Sequence, residues 1–131
     1  MFLTDLEDFD YKPYFKDGEL VRGKVVTQAA LLWDSKEEGK IVVQPGFVTD
    51  LASLPWFVMW LLTKLGKHQR AAVLHDFLTR SQIGGFVWAA KEFEKAMKQD
   101  GVAWYRRAAI ISGLLAGGYL AWKNPQPVVI I

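Results

Sequence analysis

The apolar pattern of this chain changes period once, near Asp50, and that change limits the folds open to it. Before it, short apolar runs are separated by turn residues: 20–26 (LVRGKVV), 29–33 (AALLW) and 40–44 (KIVVQ). Runs of this length, bounded by the polar turn 34–39 (DSKEEG) and by Pro45-Gly46, read as strands of a small antiparallel meander. After Asp50, apolar residues recur at helical spacing. Helices are expected over 51–65, 68–80, 86–98 and 102–122, broken at Gly66, Gly84-Gly85 and Asp100-Gly101. Strands followed by helices predict an α+β fold: a small antiparallel β-sheet in the N-terminal third, then about four α-helices, packed in two layers.

The 131 residues fit a single domain, 1–131. Residues 1–15 mix acidic and aromatic side chains around Pro13 and read as an extended N-terminal arm or edge strand. Residues 125–131 (PQPVVII) read as an extended C-terminal tail, able to add a strand to a sheet or to a neighbouring subunit.

Composition excludes several kinds of chemistry. There are no cysteines, so disulfides, thiolate metal sites and Cys nucleophiles are absent. The net charge of +2 carries no basic stripe, and Arg106-Arg107 reads as a solvent-facing helix end, so no nucleic-acid partner is expected. The acidic N-terminus lacks a basic stretch ahead of an apolar run, and no signal peptide is expected. Residues 108–122 form an uncharged run of about 15 residues, short of the roughly 20 that span a bilayer. A buried helix is the favoured reading of that run, and a membrane role is not expected. Six tryptophans and eight phenylalanines suit partner contacts and a densely packed small core equally.

Two stretches place proton-handling side chains among apolar ones: 46–55 (GFVTDLASLP), with Asp50, and 71–80 (AAVLHDFLTR), with His75 and Asp76. Such groups are costly to bury without partners. On a helix, Asp76 stands about 100° round from His75, so each reaches for a different partner. Asp50 is the natural second carboxylate. An imidazole oriented by a carboxylate on one nitrogen leaves the other free as a base. Asp50 and Asp76 together could hold a divalent cation through oxygen ligands. The structural alternative is equally concrete. Asp50 caps the first helix through the amide of Ser53, His75 is a core histidine, and Asp76 pairs with Arg70 or Arg80. On that reading Asp50, His75 and Asp76 form a buried polar clasp joining the sheet to the helices. His68 reads as an exposed residue at a helix start.

The blocks GFVTDLASLP, AAVLHDFL and FEKAMKQDGV occur in that order over roughly residues 30–120. Together they resemble a phage and prophage protein family of unknown function, with the pattern GFxTDxASxP, AAxxHDxLY, ADxxFxxAM and a Gly-Val turn. EEGKIVVQP is similar to the strand that leads into the first block. The resemblance implies a bacteriophage late protein that is structural or acts in assembly. A more distant likeness is to secreted calcium-dependent phospholipases, in which a helix carries a His base beside a calcium-binding Asp. His75 and Asp76 match those positions. Thr79 stands where the family has Tyr, and Ala90 where it has the orienting Asp.

The expected function is a virion-associated structural or assembly protein of the tail or its junctions. Its partners would be other phage structural proteins or further copies of itself. The polar residues would be kept for structure, with no cofactor. The alternative is a metal-assisted hydrolase, phospholipase-like or acting on cell wall. There His75 would be the general base, with Asp50 and Asp76 as catalytic partners or ligands of calcium or another divalent cation. A second alternative is a small membrane-active lysis protein.

Overall fold

A computed structural model describes residues 1–5, 8–50 and 69–131 of the chain. The described residues form an α+β fold. Five strands come first: β1 Tyr11–Lys16, β2 Glu19–Thr27, β3 Leu31–Asp34, β4 Lys40–Val43 and β5 Val48–Thr49. Four helices follow: α1 Gln69–Ser81, α2 Phe86–Gln99, α3 Trp104–Gly117 and α4 Tyr119–Lys123. The helix expected over 51–65, Ser53 at its start and His68 lie outside the described residues.

The strands form two antiparallel sheets rather than one meander. One is ordered β1-β2-β5 and the other is the β3-β4 hairpin. In the hairpin Leu31 faces Val43 and Trp33 faces Ile41. All four are buried while their neighbours alternate outward, which fixes the register, because a one-residue slip would turn all of them to solvent. The connecting turn is closed by Ser35, whose Oγ donates to the Gly39 carbonyl at 2.7 Å and accepts from the Glu38 amide at 2.9 Å.

The core lies between this hairpin and helices α1 and α2. It joins Leu31, Trp33, Val43 and Phe47 to Leu74 and Leu78 of α1 and to Phe93 and Met97 of α2. Each large side chain so buried contributes about 1.5–3 kcal/mol. Helix α2 ends in a Schellman motif. The Val102 amide donates to the Met97 carbonyl, the Gly101 amide donates to the Lys98 carbonyl, and Gly101 takes the left-handed conformation at φ +86°.

Both ends of the chain fold back onto it. Phe2 is 3% exposed, pairs with Trp33 in an isolated bridge and meets its ring edge-on at 4.8 Å. Residues 11–15 of the expected arm lie in β1, which pairs with β2. The tail forms an isolated bridge through Ile130 to Phe47, just before β5, and the Val48 amide of β5 donates to the Val129 carbonyl at 3.0 Å. The helix expected to run unbroken over 102–122 divides at Gly118. That glycine is buried so tightly that a Cβ would lie 2.6 Å from Leu114 Cδ1.

Candidate functional site

Helix α1 carries both residues of the His-Asp pair, and they part as adjacent helical positions must. Asp76 turns toward the sheet. Its Oδ2 accepts from the Thr49 hydroxyl at the end of β5 and lies 2.8 Å from Nε of Arg80, one turn further along the helix. Arg80 Nη2 donates to Asp50 Oδ1 at 3.0 Å, and Nη1 donates to the Pro127 carbonyl at 3.2 Å. The guanidinium carbon lies 5.8 Å from the centre of the Phe47 ring. One arginine thus joins two carboxylates, the tail and the strand end. The side chains of Asp76 and Arg80 are nearly sealed from solvent, whereas Asp50 is 24% exposed.

His75 turns the other way. Its ring packs on Phe93 of α2 at 5.0 Å, tilted by 35°. The residue is 1% exposed, and among the described residues neither ring nitrogen meets a hydrogen-bond partner. Burial lowers its pKa to about 4, so the ring is neutral at pH 7. Thr79, on the same helix face, donates its hydroxyl to the His75 backbone carbonyl at 2.9 Å rather than to the ring. The expected clasp is therefore built from Asp50, Asp76 and Arg80, and the imidazole stands outside it. The polar clasp stays on the sheet side of the helix because Asp76 and Arg80 are four apart. His75 falls on the side that faces α2.

The geometry bears directly on chemistry. A histidine base needs solvent or substrate on one nitrogen and an orienting group on the other. Among the described residues the His75 ring has an aromatic neighbour, Phe93. Asp50 and Asp76 share one guanidinium, which offsets one of the two negative charges a cation would use. Among the described residues no group of three His, Asp or Glu side chains is placed to hold a metal ion.

Two further polar clusters escaped sequence reasoning. Arg70 donates through Nε to Asp100 Oδ1 at 2.7 Å and through Nη1 to the Thr4 carbonyl at 2.8 Å. Its guanidinium lies 4.1 Å from the centre of the Phe2 ring. The pair is buried, with side chains 5% and 0% exposed, and it ties the N-terminal segment to α1 and to the end of α2. Asp100 read only as a helix stop, and no local signal marks its partner. The second cluster centres on Glu92, which is 1% exposed. It accepts from Trp33 Nε1 at 3.4 Å and pairs with Lys95 at 2.9 Å, which raises the Lys95 pKa. Glu92 lines a groove of about 610 Å³ rimmed by Lys36, Lys95 and Lys98. Here a signal existed: Glu92 shares a helical face with Ala89, Phe93 and Ala96.

No described helix is long and apolar enough to cross a membrane. No curated protein and no solved structure matches the chain significantly. A family model described as "Protein of unknown function (DUF1353)" matches residues 25–113, from β2 to α3, and takes in Asp50, His75, Asp76 and Arg80. That match covers well over half of the sequence, and the chain belongs to this family.

Proposed function

We propose that this chain is a structural or assembly component of a larger protein complex. In the setting its sequence motifs imply, that complex is a phage virion, at the tail or its junctions. The observation that carries this reading is the use made of the polar residues. Arg80 takes up Asp50 and Asp76 in a contact that holds β5, α1 and the tail together. His75 is sealed against Phe93, and among the described residues neither of its nitrogens has a hydrogen-bond partner. A hydrolase using His75 as base would need solvent and an orienting carboxylate at that ring. The polar groups act instead as joints of the fold, which suits a protein whose output is a fixed shape. Its partners would be other structural proteins of the particle.

Mass spectrometry of particles purified from the phage or prophage that encodes the chain tests this. The chain is expected in the particle or in its tail precursors, at a fixed ratio to known tail components. Its absence from both overturns the proposal. Hydrolysis of an ester or cell-wall substrate that is lost in His75→Gln would overturn it independently.

A further inference from the structure

The groove of about 610 Å³ between the end of β3, with its turn, and helix α2 holds more positive charge than its own carboxylates use. Lys36 lines it from the turn, and Lys95 and Lys98 line it from α2. Asp34 and Glu92 line it too, and both are engaged. Asp34 Oδ1 accepts from the Lys36 amide at 3.1 Å. Glu92 pairs with Lys95 Nζ at 2.9 Å and accepts from Trp33 Nε1. Among the described residues the ammonium groups of Lys36 and Lys98 meet no carboxylate.

Two of these cations are positioned by the fold. Glu92 is a buried carboxylate on the otherwise apolar face of Ala89, Phe93 and Ala96, a placement that is costly unless it is paired. Its partner Lys95 is 56% exposed. Glu92 therefore fixes an ammonium group at the edge of the groove, and two of the three Lys95 N–H donors remain for an acceptor outside. Lys36 takes the left-handed conformation at φ +67°, which Gly or Asn adopts more readily. A strained position occupied by a long, charged side chain points to a use for that side chain.

Shape and charge together say what fits. Met1, 62% exposed, and the methylene stems of the lysines supply apolar wall, with the cations above it. The groove lies open at the surface, whereas a small-molecule site buries most of its ligand. Lys36 is followed by Glu37 and Glu38, which end the positive field there, and a nucleic-acid backbone would follow a longer stripe. Gln99 accepts from the Phe2 amide at 2.6 Å and donates to the Phe2 carbonyl at 3.1 Å. That amide occupies the edge of the N-terminal segment, so recognition runs through side chains rather than through an added strand.

We propose that this groove docks an acidic segment of a partner protein, with an apolar side chain against Met1 and carboxylates on either side of it paired with Lys36 and with Lys95 and Lys98. Complementary charge of this kind fixes the register of a docked chain. The site supplies a contact for the assembly role proposed above and rests on that reading for its purpose. Binding of a peptide is measured on the pure chain, so either can fail without the other.

Heteronuclear NMR of the full chain titrated with acetyl-Glu-Glu-Phe-Glu-Glu-amide tests it. A Kd of about 0.1–1 mM is expected from a few exposed ion pairs and one apolar contact, with saturable shifts at the amides of residues 34–36 and 92–99. Lys36→Glu with Lys98→Glu is expected to weaken binding about tenfold or more, with circular dichroism unchanged. Lys12→Glu with Lys16→Glu makes the same change of net charge at exposed positions of β1, outside the groove, and is expected to leave binding within about twofold. Lys36→Gly is expected to bind about threefold more weakly and to melt no lower than the parent. The absence of saturable shifts up to about 5 mM peptide overturns the proposal. So do equal weakening by the two double variants, parent-like binding by Lys36→Gly, or equal affinity for acetyl-Lys-Lys-Phe-Lys-Lys-amide. Equal or tighter binding of inorganic phosphate or of dodecanoate also overturns it, and would assign the groove to a free anion or to a lipid acid.

Discussion

Arg80 lies one helical turn beyond Asp76 and reaches its carboxylate at 2.8 Å, while the same guanidinium bonds Asp50 at 3.0 Å. The pair on α1 is local, but the third partner stands at the end of β5. The arginine thereby converts a helical i, i+4 contact into a tertiary joint. Removing it takes the cation from Asp76, whose side chain is 1% exposed and which keeps the Thr49 hydroxyl as a donor. Arg80→Met is expected to lower unfolding free energy by about 3–5 kcal/mol, the usual cost of leaving one member of a buried ion pair alone. Asp50→Asn, at the more exposed end, should cost about 1 kcal/mol. Urea denaturation of the two variants checks the order. Equal losses would mean that the contact with Asp50 carries the whole effect and that the buried Asp76 pair adds nothing.

The buried Arg70–Asp100 pair is expected to behave asymmetrically. Asp100→Ala leaves a guanidinium in a site where the partner side chain is 0% exposed, and should cost about 3–5 kcal/mol. Replacing both residues with apolar ones of similar volume, Arg70→Met with Asp100→Leu, should recover most of that loss. The N-terminal segment would still loosen, because Arg70 also holds the Thr4 carbonyl. A double-mutant cycle by thermal melting measures the coupling, and an additive pair would contradict the structure.

Parts of this architecture can be traced to local pattern and parts cannot. The hairpin of β3 and β4 follows from Leu31, Trp33, Ile41 and Val43 alternating around the DSKEEG turn. The divergence of His75 from Asp76 follows from helical geometry alone. The choice of Arg80 over Arg70 as the partner of Asp76 is also a matter of period, since only a spacing of four puts both on one face. What resists reading is partner choice across long sequence separation. Asp100 meets Arg70, and Asp50 meets Arg80, only because the core brings their elements together. The tail residues 125–131 carry a strand's pattern, but nothing in that pattern distinguishes the chain's own β5 from a neighbour's edge.

Gly46 marks the seat of that tail. Its φ is +88°, and a Cβ there would collide with the Ile131 carbonyl oxygen, a backbone atom. The Ile131 amide donates to the Gly46 carbonyl at 3.0 Å. Gly46→Ala therefore meets both a left-handed backbone, costing about 1–2 kcal/mol, and a clash with the strand it should bind. The tail is expected to leave first. Hydrogen exchange should show faster exchange at the Ile131 and Val48 amides, with the α2 amides unchanged. Unchanged protection of Ile131 would mean that the tail is seated by something other than this approach.

His75 contributes to the acid limb of stability. Its folded pKa is about 4 against the ordinary value of 6.5, the shift caused by burial. The folded state thus disfavours the proton that the unfolded chain accepts. Above pH 6.5 both states hold a neutral ring, and its titration contributes nothing. As pH falls from 6.5 to 4, the unfolded chain gains a proton first, and stability drops by about 1.4 kcal/mol per pH unit, to a total of about 3 kcal/mol. His75→Leu removes this pH dependence and also two buried nitrogens that have no hydrogen-bond partner among the described residues. The variant is expected to match or exceed the parent by about 1 kcal/mol at pH 7, and its advantage should widen as pH falls toward 4. Carboxylate titrations are common to both chains and cancel in the difference. Unfolding curves of the two proteins at pH 7, 5.5 and 4 decide the matter. A difference that stays constant with pH would mean that the ring is protonated in the folded state and has found a partner after all.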